Sequence, residues 1–120
     1  MEFPRKIYAI KHNKTKRIYV GSSRHPKKRF ANHLSRLRNG DHIVEDMQKD
    51  FDEYGDDFTF FILGDISNEE QRRREYEFMA FMESNIRGKG YNYKDHVNFE
   101  KLKKKGAVPM NYREELFDFS

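Results

Sequence analysis

The stretch Lys6 to His33, KIYAIKHNKTKRIYVGSSRHPKKRFANH, constrains the fold more than any other. Two short runs rich in β-formers, Lys6–Lys11 and Arg17–Gly21, flank the polar segment His12–Lys16. Alternation on both sides of a loop of Asn, Lys and Thr predicts a β-hairpin. Tyr8 and Tyr19 sit in the middle of the two runs, so pairing around the loop lets both phenols project from one face. After Gly21, Ser22 and Ser23 the chain turns. Pro26 fits a helix start, and Arg29 and His33 fall four apart on one helical face.

The remaining elements follow in order. A helix from about Pro26 to Arg38 buries Phe30, Leu34 and Leu37, and Asn39-Gly40 stops it. Asp41 caps a second helix with Ile43, Met47 and Phe51 as its stripe and Gly55 as its stop. Phe58–Leu63 reads as a buried strand. Ser67, with Glu69 and Glu70 in the first turn, opens a helix that runs to about Ile86 and buries Phe78, Met79, Met82 and Ile86. Asn98 caps a short basic helix ending at Lys103-Lys104-Lys105-Gly106. The final segment carries Tyr112, Leu116, Phe117 and Phe119, which must dock on the core or on a partner. The expected architecture is α/β (α+β): a three-stranded antiparallel sheet flanked by helices in the order β-β-α-α-β-α. Residues 1–95 form one domain and 96–120 a C-terminal extension.

Charge is segregated along the chain. Residues 1–40 hold 12 Lys and Arg against one acid, residues 41–83 hold 4 against 14, and the whole carries +4. A basic front segment suits a polyanion such as nucleic acid. The blander account is mutual neutralisation of the blocks within the fold. Charged residues make up 37% of the chain, so the 11 Phe and 7 Tyr must supply bulky packing from few positions. Absence of cysteine excludes disulfides, thiol nucleophiles and Cys-based zinc sites. No apolar run approaches the ~20 residues of a membrane span, and the expectation is a soluble intracellular protein with no membrane partner.

The element order, with one tyrosine in each hairpin strand, resembles the GIY-YIG nuclease family, and most of all the catalytic domains of phage intron-encoded homing endonucleases. KIYAI stands in place of GIY and RIYVG in place of YIG. Lys28-Arg29-Phe30 through His33, then Asn39-Gly40-Asp41-His42, Gln48–Gly55 and Phe58–Leu63 keep the family's order. Glu77 lies in the last large helix, and Gly90-Tyr91-Asn92 closes the match, which covers about residues 5–93. The first position is Lys6 instead of Gly.

The resemblance implies a DNA endonuclease that uses Mg²⁺ or Mn²⁺ and leaves 5′-phosphate and 3′-hydroxyl ends. Tyr8 would activate the nucleophile, Tyr19 would support the water and phosphate, and Arg29 would stabilise the phosphoryl group. Glu77 would hold one metal ion, and His33 would aid proton transfer or contact phosphate. Lys6, Gly21, Ser22, His42 and Asn92 would contact substrate, Asn92 alternatively stabilising the end of the domain. An unperturbed phenol ionises near pH 10, so Tyr8 needs a cation beside it to act as base. Taken singly, each residue has a structural explanation: Glu77 follows Arg73 and Arg74 at ion-pair spacing. Glu75 is the adjacent alternative for the metal, and the distance to Tyr91-Asn92 favours Glu77. His12, His25 and His96 read as surface residues. Two other functions fit the same residues: a non-catalytic nucleic-acid-binding module, and a structure-selective repair or recombination nuclease with a partner. The C-terminal extension is the expected surface for that partner or for a homodimer.

Overall fold

The computed structural model describes residues 2–94, 97–104 and 108–117. His96, the end of the basic helix at Lys105-Gly106, Phe119 and the junction at 95–96 lie outside the described residues. The hairpin forms as expected: β1 (Arg5–His12) pairs antiparallel with β2 (Ile18–Ser23), setting Tyr8 opposite Gly21 and Tyr19 opposite Ile10. Then come α1 (Pro26–Asn39), α2 (Glu45–Tyr54), β3 (Phe58–Ile66), α3 (Gln71–Met82), α4 (Phe99–Lys104) and β4 (Glu115–Leu116).

The sheet has four strands, not three, in the order β2-β1-β3-β4 with every neighbour antiparallel. The extra strand is only two residues long, too short for alternation to announce it. Strand alternation divides the core between the two faces. Ile7, Ala9, Val20, Leu63 and Ile66 pack against Phe78 and Met79 of α3. Tyr8, Ile10, Phe60 and Ile62 pack against Phe30 of α1. A third cluster joins Leu37, Met47 and Tyr91.

Three helix starts and stripes differ from expectation. α2 begins at Glu45 because Asp41 is drawn to Arg36 and the 42–44 segment is tied down separately, leaving Ile43 outside the helix and 92% exposed. α3 begins at Gln71 because β3 continues to Ile66, so buried Ser67 belongs to the strand exit and caps nothing. It ends at Met82, where Glu83 turns left-handed, so Ile86 lies on an exposed turn. His12 is fully buried, not on the surface: Nδ1 accepts from Lys14 N and Thr15 N, and Nε2 meets the Gly55 carbonyl at 3.2 Å. The ring thereby shapes the hairpin loop.

The 110–117 segment docks on the domain. Arg113 N and Phe117 N donate to the Leu63 and Phe60 carbonyls at 2.8 Å each. Phe117 sits edge-on to Phe30 at 4.9 Å, Tyr112 edge-on to Phe81 at 4.8 Å, and Arg113 pairs with Asp65 at 3.0 Å. Arg74, buried under this segment, donates to the Met110 carbonyl at 2.5 Å.

Candidate active site

The site forms at the outer edge of β2, where the two faces of the sheet meet. Asn92 decides where that edge closes. Its amide oxygen accepts from Val20 N at 2.8 Å and its amide nitrogen donates to Val20 O at 3.1 Å, as a neighbouring strand would. Tyr91 N donates to Ile18 O at 2.9 Å in the same register. Gly90 makes the approach possible, since a Cβ there would stand 2.1 Å from the Ser84 carbonyl oxygen. Beyond Val20 the edge opens into a cleft lined by Tyr8, Tyr19, Gly21, Ser22, Arg29 and Glu75.

Tyr8 and Tyr19 enter from the α1 face, their rings 6.2 Å apart. Gly21 is required under them: a Cβ there would lie 2.6 Å from the Tyr8 hydroxyl and 3.1 Å from the Tyr19 ring. Burial pushes both phenols above their ordinary range. For each, the Arg29 charge acts in the opposite direction. Arg29 is exposed, and no carboxylate pairs with it among the described residues. Its guanidinium is available to an incoming anion.

A chain of hydrogen bonds reaches Tyr8 from behind. His42 Nδ1 accepts from Val44 N at 3.0 Å, so this nitrogen carries no proton. The neutral His42 ring then bears its proton on Nε2, which lies 2.8 Å from His33 Nδ1. His33 is in turn protonated on Nε2, 3.0 Å from the Tyr8 oxygen. The network thus assigns the tautomers and makes His33 a donor to Tyr8. Gln48 fixes the far end by accepting from His42 N at 3.0 Å and donating to the Leu37 carbonyl at 3.0 Å.

These rings give the fold an acid-sensitive joint. Burial first, then His42 and Arg29, push His33 down to about 3. Burial, then Arg36, also lowers His42. Both rings stay neutral in the fold where the unfolded chain takes up protons near pH 6.5. The unfolded state then binds more protons, so stability is fully present above about pH 6.5 and falls as pH drops toward about 3. Thermal melts should show Tm decreasing from pH 7 to pH 4.5, and the decrease should shrink in His33→Asn. Parallel profiles for the two proteins would refute the assignment.

Of the two candidate glutamates on α3, Glu75 lines the cleft and Glu77 does not. Glu75 Oε2 accepts from the Ser22 hydroxyl and from Gln71 Nε2 at 3.0 Å, and both tyrosines feel its charge. Glu77 points elsewhere on α3, bonded by Arg73 at 2.8 Å and Arg74 at 3.2 Å. Two positions along a helix are about 200° around it, so the two glutamates face opposite ways. Counting back from Tyr91-Asn92 selects Glu77 only if the intervening turn has a fixed length. Helix phase offered the better signal, because Gln71, Glu75 and Met79 form one i, i+4 row that lines the cleft.

One further expectation is corrected. Lys6 donates to Asp65 and does not line the cleft. Asn92 lines the cleft but spends its amide on Val20, which agrees with the alternative that it stabilises the end of the domain. The sequence reading overlooked Arg5, which reaches the cleft and bonds Ser22 Oγ at 3.3 Å.

Among the described residues no three His, Asp or Glu side chains converge as a metal cage. Glu75 nevertheless fits a hard cation, because one of its oxygens has no hydrogen-bond partner among the described residues and it faces an open cleft. Magnesium and manganese commonly use one or two carboxylates, completing their shell with water and substrate phosphate.

The phenols of Tyr8 and Tyr19, the Arg29 guanidinium and the Glu75 carboxylate thus meet at one edge of the sheet. Residues 5–92 match the model of the GIY-YIG catalytic domain, and the chain belongs to that family. Among curated proteins it is similar to Intron-associated endonuclease 1 of Enterobacteria phage T4, at 34% identity over 89 residues. That match covers 74% of this chain but only 36% of the phage protein's length. The fold is like the solved catalytic domain of homing endonuclease I-TevI, with TM-score 0.68 and 29% identity over 76% of this chain and 99% of the other. A mutant of the same domain gives TM-score 0.69, again at 29% identity, covering 78% and 97% of the two chains. Among the described residues no helix is long and apolar enough to cross a membrane.

Proposed function

We propose that this chain is a divalent-metal-dependent DNA endonuclease that hydrolyses phosphodiester bonds to 5′-phosphate and 3′-hydroxyl ends. The observation that carries the reading is the convergence of Tyr8, Tyr19, Arg29 and Glu75 on one open cleft. Arg29 takes the scissile phosphate and neutralises charge that builds on its oxygens. Tyr8 receives the proton of the attacking water as the phenolate. Burial opposes that ionised form, so the His33 Nε2–H bond and the Arg29 charge are what make it accessible. Tyr19 holds the water, while Ser22 and Gln71 fix the Glu75 carboxylate. Glu75 would hold a divalent ion, which would supply further charge neutralisation for the phosphoryl group. DNA as substrate is supported by the basic first 40 residues and by the relatives' description as endonucleases.

Supercoiled plasmid incubated with the protein and Mg²⁺ is the direct test. Nicked or linear product is expected, with ends that ligase reseals without prior phosphorylation. Arg29→Ala should lower the rate by about 10³-fold with Tm unchanged, because the side chain is exposed and lies off the apolar stripe. Protein that binds DNA yet never cuts with Mg²⁺ or Mn²⁺ would return the chain to the class of binding modules.

A further inference from the structure

Ile43 has no place in the chemistry above, yet it borders both hollows of the site. The cleft with Glu75 and a second hollow with His33, Asn32 and Arg36 share Tyr8, Tyr19, Arg29 and Ile43 as common walls. Its side chain is 92% exposed, the most exposed of the large apolar residues described. A single exposed apolar residue is ordinary; this one stands on the ridge beside the reacting groups.

The ridge is stiff. On one side His42 N is bonded to Gln48, and on the other Val44 N closes onto His42 Nδ1 while Val44 packs on Leu37, Met47 and Tyr91. A β-branched side chain on such a segment has little freedom of its own. Charge indicates what it meets. Arg29 borders both hollows, Arg36, paired with Asp41 at 3.4 Å, borders the second, and Arg87 and Lys94 border the cleft with Glu75, while Glu45 and Asp46 line that cleft near Ile43. Arg87 is steadied over the Tyr93 ring at 4.4 Å. Cations in both hollows with an apolar ridge between them suit a duplex groove, with two backbones outside and base edges in the middle.

We propose that Ile43 is a wedge that enters the groove and pries apart the base step beside the scissile phosphate, presenting that phosphate to Arg29 and Tyr8. Apolar side chains, Ile among them, act this way when they partly unstack a step from the minor groove. The inference rests on the DNA-nuclease reading of the same site.

The experiment uses a short duplex containing the step at which wild-type protein nicks, with 2-aminopurine placed next to it. Binding of wild-type protein without divalent ion should raise the probe's fluorescence severalfold, and Ile43→Ser should bind without the rise. With Mg²⁺, Ile43→Ser should cut the intact duplex roughly 10- to 100-fold more slowly. A mismatch at the same step, which removes the work of unstacking, should restore its rate. Equal fluorescence in the two proteins, or a defect that the mismatch leaves in place, would overturn the wedge while wild-type cleavage preserves the nuclease reading. Wild-type protein that cuts neither duplex would remove both. The Tm of Ile43→Ser should equal that of wild type, since almost none of the side chain is buried.

Discussion

Glu75→Gln is expected to reduce cleavage by about 10³-fold, corresponding to the several kcal/mol that metal-assisted charge neutralisation supplies, and Glu77→Gln to leave the Mg²⁺ dependence unchanged. The two side chains are two residues apart in one helix and differ in their surroundings. Glu75 is held at the cleft by Ser22 and Gln71, and its neutralisation removes the only carboxylate those two bonds position. The amide introduced by that substitution would keep the shape and one acceptor but lose the charge that attracts a hard cation. Glu77 does something different: with Arg73 and the buried Arg74 it forms the ion pair that keeps Arg74 on the Met110 carbonyl. Its replacement should appear as lost stability, about 1–2 kcal/mol for weakening one partner of a buried guanidinium. Mg²⁺ titrations of cleavage and thermal melts on both variants separate the two roles. An altered titration for Glu77→Gln with a normal one for Glu75→Gln would reverse the assignment.

Local spacing explains what was legible in the sequence. The hairpin, α1 and the Tyr8–Tyr19–Arg29–His33 group depend on alternation and on i, i+4 neighbours, and those periods are written in consecutive residues. What escaped was set by distant parts of the chain. The choice between Glu75 and Glu77 depends on how α3 rotates to bury Phe78 and Met79, which a count along the sequence does not reveal. The role of Asn92 is likewise open in the sequence, and its amide imitates a strand partner for Val20 only once the fold is built. His12 reads as a loop residue because its three backbone partners come into view only when the hairpin loop meets Gly55. The helix starts at Asp41 and Ser67 are plausible caps by residue type. Competing tertiary contacts held both segments outside the helices.

Deleting residues 108–120 should unfold the domain or lower its Tm by tens of degrees, although the family match ends at residue 92. Three losses combine. Phe117 leaves the face of the sheet where it covers Phe30, and Tyr112 leaves Phe78 and Phe81. Both rings are half-buried, so each loss falls below the about 3–5 kcal/mol of a fully buried aromatic. β3 loses the partner strand on its outer edge, leaving the Phe60 and Leu63 carbonyls without the amides they accept from. Arg74, 3% exposed, would lose the Met110 carbonyl and, among the described residues, keep only the Glu77 carboxylate to balance a buried charge. The sum is of the same order as the roughly 5–15 kcal/mol that holds a domain of this size together. Phe117→Ala in the full chain should show an intermediate loss, with its residual cleavage tracking the folded fraction measured by circular dichroism. A deletion variant that melts with wild-type cooperativity and Tm would mean that the extension rests on the sheet without supporting it. Its aromatics would then be free to serve a second copy of the chain or another protein, and a change in oligomeric state on deletion would reveal which.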